Sequence, residues 1–111
     1  MCGIVGIVGN EAVAPRLVKS LKCLEYRGYD SCGVATYTSQ GIEIRKDVGG
    51  VTAVAERHDL ASIHGHIGIA HTRWATHGGV SRENALPHLS CDGNFAIVHN
   101  KGYHDLSLPR F

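Results

Sequence analysis

Apolar and polar positions along this chain switch between two periods, and the switches mark its elements. Ile4, Val5, Ile7 and Val8 form a β-branched run punctuated by Gly3, Gly6 and Gly9, which predicts a buried strand over 3–9. Val13, Leu17, Val18, Leu21 and Leu24 then recur at helical spacing, and Pro15 suits a first turn, so a helix follows. The polar stretch 25–30 holds Gly28 as a stop or turn. Residues 31–38 read as a strand, 39–41 as a turn, and 42–48 alternate as the second arm of a hairpin. A short helix is predicted over 51–61 and a strand over 66–72. A long polar loop, 73–89, contains Gly78, Gly79 and Pro87, and 94–99 reads as one more buried strand. The order is mixed α and β with antiparallel hairpins, not strict β-α-β alternation. A loop as long as 73–89 in a small domain carries function or is disordered; Arg73, Trp74, Thr76 and His77 inside it favour function.

Composition narrows the partners. The chain has 111 residues, at most one small domain, with 43% hydrophobic residues, 19% charged and a net charge of +1. Without a basic or acidic run, neither nucleic acid nor an anionic membrane is expected as a partner. The apolar run at the start is too short to span a membrane and lacks the basic region of a signal peptide. The four cysteines, Cys2, Cys23, Cys32 and Cys91, have no C-x-x-C spacing, which argues for a reduced, cytoplasmic chain without a zinc ribbon. Cys23 and Cys32 read as small buried hydrophobes. Eight histidines invite a metal reading, but there is no H-E-x-x-H, and His66 and His71 lie five apart on a strand, on opposite faces. Histidines at strand ends and in loops are the simpler expectation. Gly3-x-x-Gly6-x-x-Gly9 has the wrong spacing for a dinucleotide fingerprint, and no strand precedes it; close approach of a strand or substrate explains it better.

Candidate chemistry starts at Cys2. With Met1 removed, one residue carries a thiol nucleophile and an α-amine, and the amine serves as general base for its own thiol. Four blocks follow in order: Cys2-Gly3-Ile4-Val5-Gly6, Glu25-Tyr26-Arg27-Gly28-Tyr29-Asp30-Ser31, His71-Thr72-Arg73-Trp74-Ala75-Thr76-His77-Gly78 and Val98-His99-Asn100. Together they closely resemble the glutaminase domain of the glutamine–fructose-6-phosphate aminotransferase family, a branch of the class II glutamine amidotransferases.

The resemblance implies an α+β fold, the four-layer αββα sandwich of N-terminal nucleophile hydrolases, present here only in its N-terminal part. It implies that Cys2 attacks the glutamine amide. The side chain of Asn100 and the backbone N–H of Lys101 would hold the oxyanion, Lys101 standing where the family has a glycine. Arg73 matches the position that binds the glutamine α-carboxylate, as a planar guanidinium suits. Trp74, Thr76, His77 and Gly78 match a loop that closes on glutamine, and Arg27 matches a residue that orients the nucleophile or forms a structural salt bridge. The products would be glutamate and ammonia, the latter passed to fructose 6-phosphate on sugar isomerase domains absent from this chain. Homo-oligomerisation would belong to the full-length enzyme. No metal, nucleotide or flavin cofactor is implied. Residues 1–100 are expected to be the N-terminal part of the domain, and 101–111 a divergent tail from truncation or frameshift. The alternative is a catalytically inactive fragment acting through other chains.

Overall fold

The computed structural model describes residues 2–27 (Arg27 in its backbone alone), 30–74 and 79–99. In chain order these form β1 (Gly3–Val8), α1 (Ala14–Leu24), a 3-10 turn (Glu25–Arg27), β2 (Ser31–Thr38), β3 (Gly41–Val48), α2 (Val51–His58), a second 3-10 turn (Leu60–Ser62), β4 (Ile67–Arg73), β5 (His88–Leu89) and β6 (Ala96–Ile97). Through β4 the elements lie within a residue or two of those predicted by periodicity, apart from residues 59–61, where the predicted helix gives way to the second 3-10 turn. The first four strands make one antiparallel sheet in the order β1-β4-β2-β3, and β5 and β6 pair separately. The central place of β4 suits its small residues, Gly68 and Ala70, which lie on one face of the strand and let α1 pack closely, with Leu17 against Gly68.

Alternation gives this sheet two faces. On one, Val5, Ala70 and Val34 line up across β1, β4 and β2. They join Leu17, Val18 and Leu21 of α1, Val51 and Val54 of α2, and Leu60 and Ile63 in a single core. Burial of each such aliphatic side chain contributes about 1.5–3 kcal/mol. α1 has no side-chain cap; its entry is held by the Val13 N–H, which donates to the Gly65 carbonyl at 3.0 Å. α2 is capped from a distance: Oε2 of Glu25 accepts the Val51 N–H at 2.8 Å, placing a carboxylate at a helix N-terminus.

The other face is only partly covered. Ile4, His71, Gly33 and Lys46 form one row across all four strands. The segment 85–87 lies on that row, so closely that a Cβ at Gly33 would collide with the Leu86 carbonyl. Elsewhere on this face Val8, Tyr37 and Ile67 are exposed. The result is a helical layer, a full sheet and the first piece of a further layer.

Three expectations are corrected. Residues 94–99 are not a buried strand: only Ala96–Ile97 pair, with β5 alone, and Phe95 and Ile97 are exposed. A two-residue ladder off the main sheet cannot cover both of its faces. Cys23 is exposed, because two residues past Leu21 it falls off the buried stripe of α1. His71 is fully buried inside β4 instead of lying at an end or in a loop. The tail at 101–111 lies outside the described residues. Among the described residues no helix is long and apolar enough to cross a membrane.

Candidate active site

Strand pairing brings the two ends of the sequence motif together. Gly3, the first residue of β1, pairs with Thr72, and Arg73 follows as the last residue of β4. Cys2 and Arg73 therefore stand at the same end of neighbouring antiparallel strands. Gly3 faces the helical layer: a Cβ there would sit 2.7 Å from Thr72 Oγ1 and 2.9 Å from Leu24 Cβ. Of the three glycines in β1 and its exit it alone needs to be glycine for lack of space, since a Cβ at Gly6 or Gly9 would meet nothing closer than 3.6 Å. Alternation from Gly3 turns Cys2 to the opposite face, that of Ile4, His71 and Arg73.

Both Cys2 and Arg73 are 5% exposed. The Arg73 backbone is clamped, its carbonyl accepting the Asp30 N–H at 3.0 Å. Its guanidinium donates from Nη1 to the Gly79 carbonyl at 3.1 Å, and Asn84 Nδ2 donates to the same oxygen at 3.0 Å. Trp74 is 44% exposed at the mouth of the strand end, not a core aromatic.

His71 is completely buried, and its Nε2–H donates to the His99 carbonyl at 2.9 Å. Burial, the His99 ring and the Arg73 charge together lower its basicity, which the His99 hydrogen bond only partly restores; its pKa falls to about 4, so the ring is neutral near pH 7. Arg27 belongs to the 3-10 turn after α1 and its side chain lies outside the described residues, as do Thr76, His77, Gly78, Asn100 and Lys101.

Periodicity did not single out Lys46. Its Nζ donates to the Ala85 and Pro87 carbonyls at 2.7 and 3.1 Å and lies 3.4 Å from His88 Nδ1, fastening the loop that carries Gly79 and Asn84. Burial lowers its pKa, and Arg82 adds to this. A signal existed: in Ile42, Ile44, Lys46 and Val48, Lys46 is the one charge among apolar residues on its face of β3. Asn84 carried no comparable signal.

Cys32 is part of the hydrophobic core. Burial, with Glu25 and Asp47 nearby, pushes its thiol up to about 12, so it stays protonated and unreactive. Iodoacetamide at pH 8 is expected to label exposed Cys23 and Cys91 in the folded protein and to reach Cys32 only on denaturation. Peptide mass mapping checks this, and labelling of Cys32 as fast as Cys23 would contradict the packing of β2.

No protein-family model matches the chain. Curated relatives do. Glutamine–fructose-6-phosphate aminotransferase of Methanococcus maripaludis is 49% identical over 100 residues, 90% of this chain and 16% of that protein. The enzyme of the same name from Sulfurisphaera tokodaii is 48% identical over 112 residues, 96% of this chain and 19% of its own. One from Rhizobium meliloti is 52% identical over 100 residues, again 90% and 16%. The chain thus spans less than a fifth of the relatives it matches. Among solved structures, glutamine phosphoribosylpyrophosphate amidotransferase from B. subtilis aligns with a TM-score of 0.67 at 26% identity, over 78% of this chain and 18% of that one. The fold defines a class: the chain carries the N-terminal-nucleophile fold of the glutamine amidotransferases, in incomplete form. Within that class its sequence matches the N-terminal part of glutamine–fructose-6-phosphate aminotransferase.

Proposed function

We propose that this chain supplies the nucleophile and the carboxylate clamp of a glutamine amidotransferase site. The observation that carries the reading is the meeting of Cys2 and Arg73, both buried, at one end of paired strands. After removal of Met1, the α-amine of Cys2 takes the thiol proton while sulfur bonds to the side-chain amide carbon of glutamine. The amine returns the proton to the leaving nitrogen, and ammonia departs from a γ-glutamyl thioester. Water then releases glutamate and restores the thiol. The sequence of steps consumes one water and needs no cofactor. General-base assistance of this kind is worth about 10²–10⁴ in rate. Asn100 and the N–H of Lys101 serve as oxyanion donors, each such donor worth about 10²–10³.

Arg73 takes the substrate α-carboxylate, Trp74, Thr76, His77 and Gly78 form the substrate loop, and Arg27 supports the nucleophile. In the full-length enzyme the ammonia goes to fructose 6-phosphate on isomerase domains, a cytoplasmic step in amino-sugar synthesis. The second reading, a fragment that acts by binding another polypeptide, is favoured by the exposed Val8, Tyr37 and Ile67 on the sheet face.

The test is the intact mass of the untagged chain before and after 6-diazo-5-oxonorleucine. This diazoketone mimics glutamine; the thiol proton passes to its diazo carbon, a C–S bond forms and N2 leaves. Loss of Met1 and a single adduct mapped to Cys2 is the expected result. Loss of Met1 without an adduct would overturn the glutamine site in this chain and leave the second reading.

A further inference from the structure

We propose that His71 is a positioning residue for the oxyanion donors, its Nε2–H tying the chain immediately before Asn100 to the central strand β4. This rests on the glutamine-site reading, which makes Asn100 a donor. The tie is a single hydrogen bond of 2.9 Å to the His99 carbonyl, joining residues 28 apart. β5 and β6 pair over only two residues each, and Phe95 and Ile97 point their apolar surface to solvent. Lys46 fastens the start of the segment at Ala85 and Pro87, so His71 is placed to fasten its end.

A residue present only to fill space would not be histidine. Nδ1 of His71 is buried with no hydrogen-bond partner among the described residues, a destabilising arrangement that Leu or Phe at this position would avoid. What the imidazole provides instead is one donor at Nε2. Because the ring is neutral, it carries a single proton, and the carbonyl of His99 places that proton on Nε2. Gly33 opposite His71 leaves room for the incoming segment, with Leu86 and Pro87 lying directly above it. The donor thus acts on chemistry through a backbone carbonyl one residue from the reacting group's partner, not by touching substrate.

The experiment compares wild type with His71→Phe, which keeps a ring and loses the donor, and His71→Gln, whose side-chain amide returns an N–H near the Nε2 position. Backbone amide exchange at 96–99 and the kinetics of 6-diazo-5-oxonorleucine addition to Cys2 are read for each. A small misplacement of reacting groups costs up to about 10²-fold, so His71→Phe is expected to slow the maximal alkylation rate by about 10–100-fold with half-saturation changed less than about twofold. Its 96–99 amides should exchange faster while 31–38 stay protected, and His71→Gln should recover both readouts.

Equal behaviour of the Phe and Gln variants, or an unchanged maximal rate, overturns the proposal. If His71→Phe does not fold, wild-type imidazole NMR decides: a slowly exchanging Nε2 proton coupled to the His99 carbonyl supports the tie, and its absence overturns it. If wild type takes no adduct, the glutamine reading has failed, while faster exchange at 96–99 in His71→Phe, restored in His71→Gln, still supports the tie and equal exchange in all three proteins overturns it.

Discussion

Cys2→Ala is expected to abolish covalent capture of 6-diazo-5-oxonorleucine and any release of ammonia from glutamine, with the fold retained. The expectation is total loss because no other thiol can take over. Cys32 lies on the helical face, its thiol pushed up to about 12, and Cys23 and Cys91 are exposed, whereas Cys2 and Arg73 are buried. Alanine leaves only a small gap at the edge of β1, so the melting transition should move little. Cys2→Ser is the sharper variant. It keeps size and hydrogen bonding, but a hydroxyl is far less acidic than a thiol, and an α-amine titrating near ~8 is a poor base for it. Intact mass and an ammonia assay on both variants check this. Alkylation of Cys2→Ala at the wild-type rate would remove Cys2 from the mechanism.

Acid is expected to destabilise the protein well before its carboxylates protonate. In the unfolded chain the His71 imidazole takes up a proton near 6.5, but in the fold it does so only near about 4. Between those values the unfolded state binds a proton that the native state refuses, so stability falls as pH falls through this window. Below about 4 both states are protonated and the loss from this group levels off. The difference corresponds to about 3 kcal/mol, enough to matter in a domain of this size.

Asp47 acts in the same direction, but lower down. The His58 hydrogen bond at 2.8 Å and the Val48 N–H hold its carboxyl below 3.8, so its contribution persists above that value and is lost only as pH drops further. Urea unfolding at pH 7, 5.5 and 4.5 measures the slope. His71→Gln, which cannot titrate, should flatten it. A wild-type protein equally stable at pH 7 and pH 4.5 would show that His71 is not buried as described.

The legible part of this molecule was its local periodicity. The stripe Leu17, Val18, Leu21 could only be one face of a helix, and Ile42 to Val48 could only alternate as a strand, because side-chain direction follows backbone period. The run 94–99 misled because apolar content alone does not say whether a strand finds a partner; here it finds two residues of β5 and no more. Of the candidate site, Cys2 was nameable from its thiol and α-amine, and Arg73 from the family resemblance, which its planar guanidinium suits. Their standing side by side depends on β4 entering between β1 and β2.

The cap that Glu25 places on α2 and the grip of Lys46 on Ala85 and Pro87 were beyond sequence reading, since each joins residues at least 26 apart. By itself, then, the sequence determined which segments are helix and strand, and through its resemblance which residues are proposed to act on glutamine. The tertiary structure decided which strands are neighbours, which polar groups are buried and what holds the 79–99 segment against the sheet. Those choices are set by long-range pairing and desolvation, and neither has a signature within one local window of sequence.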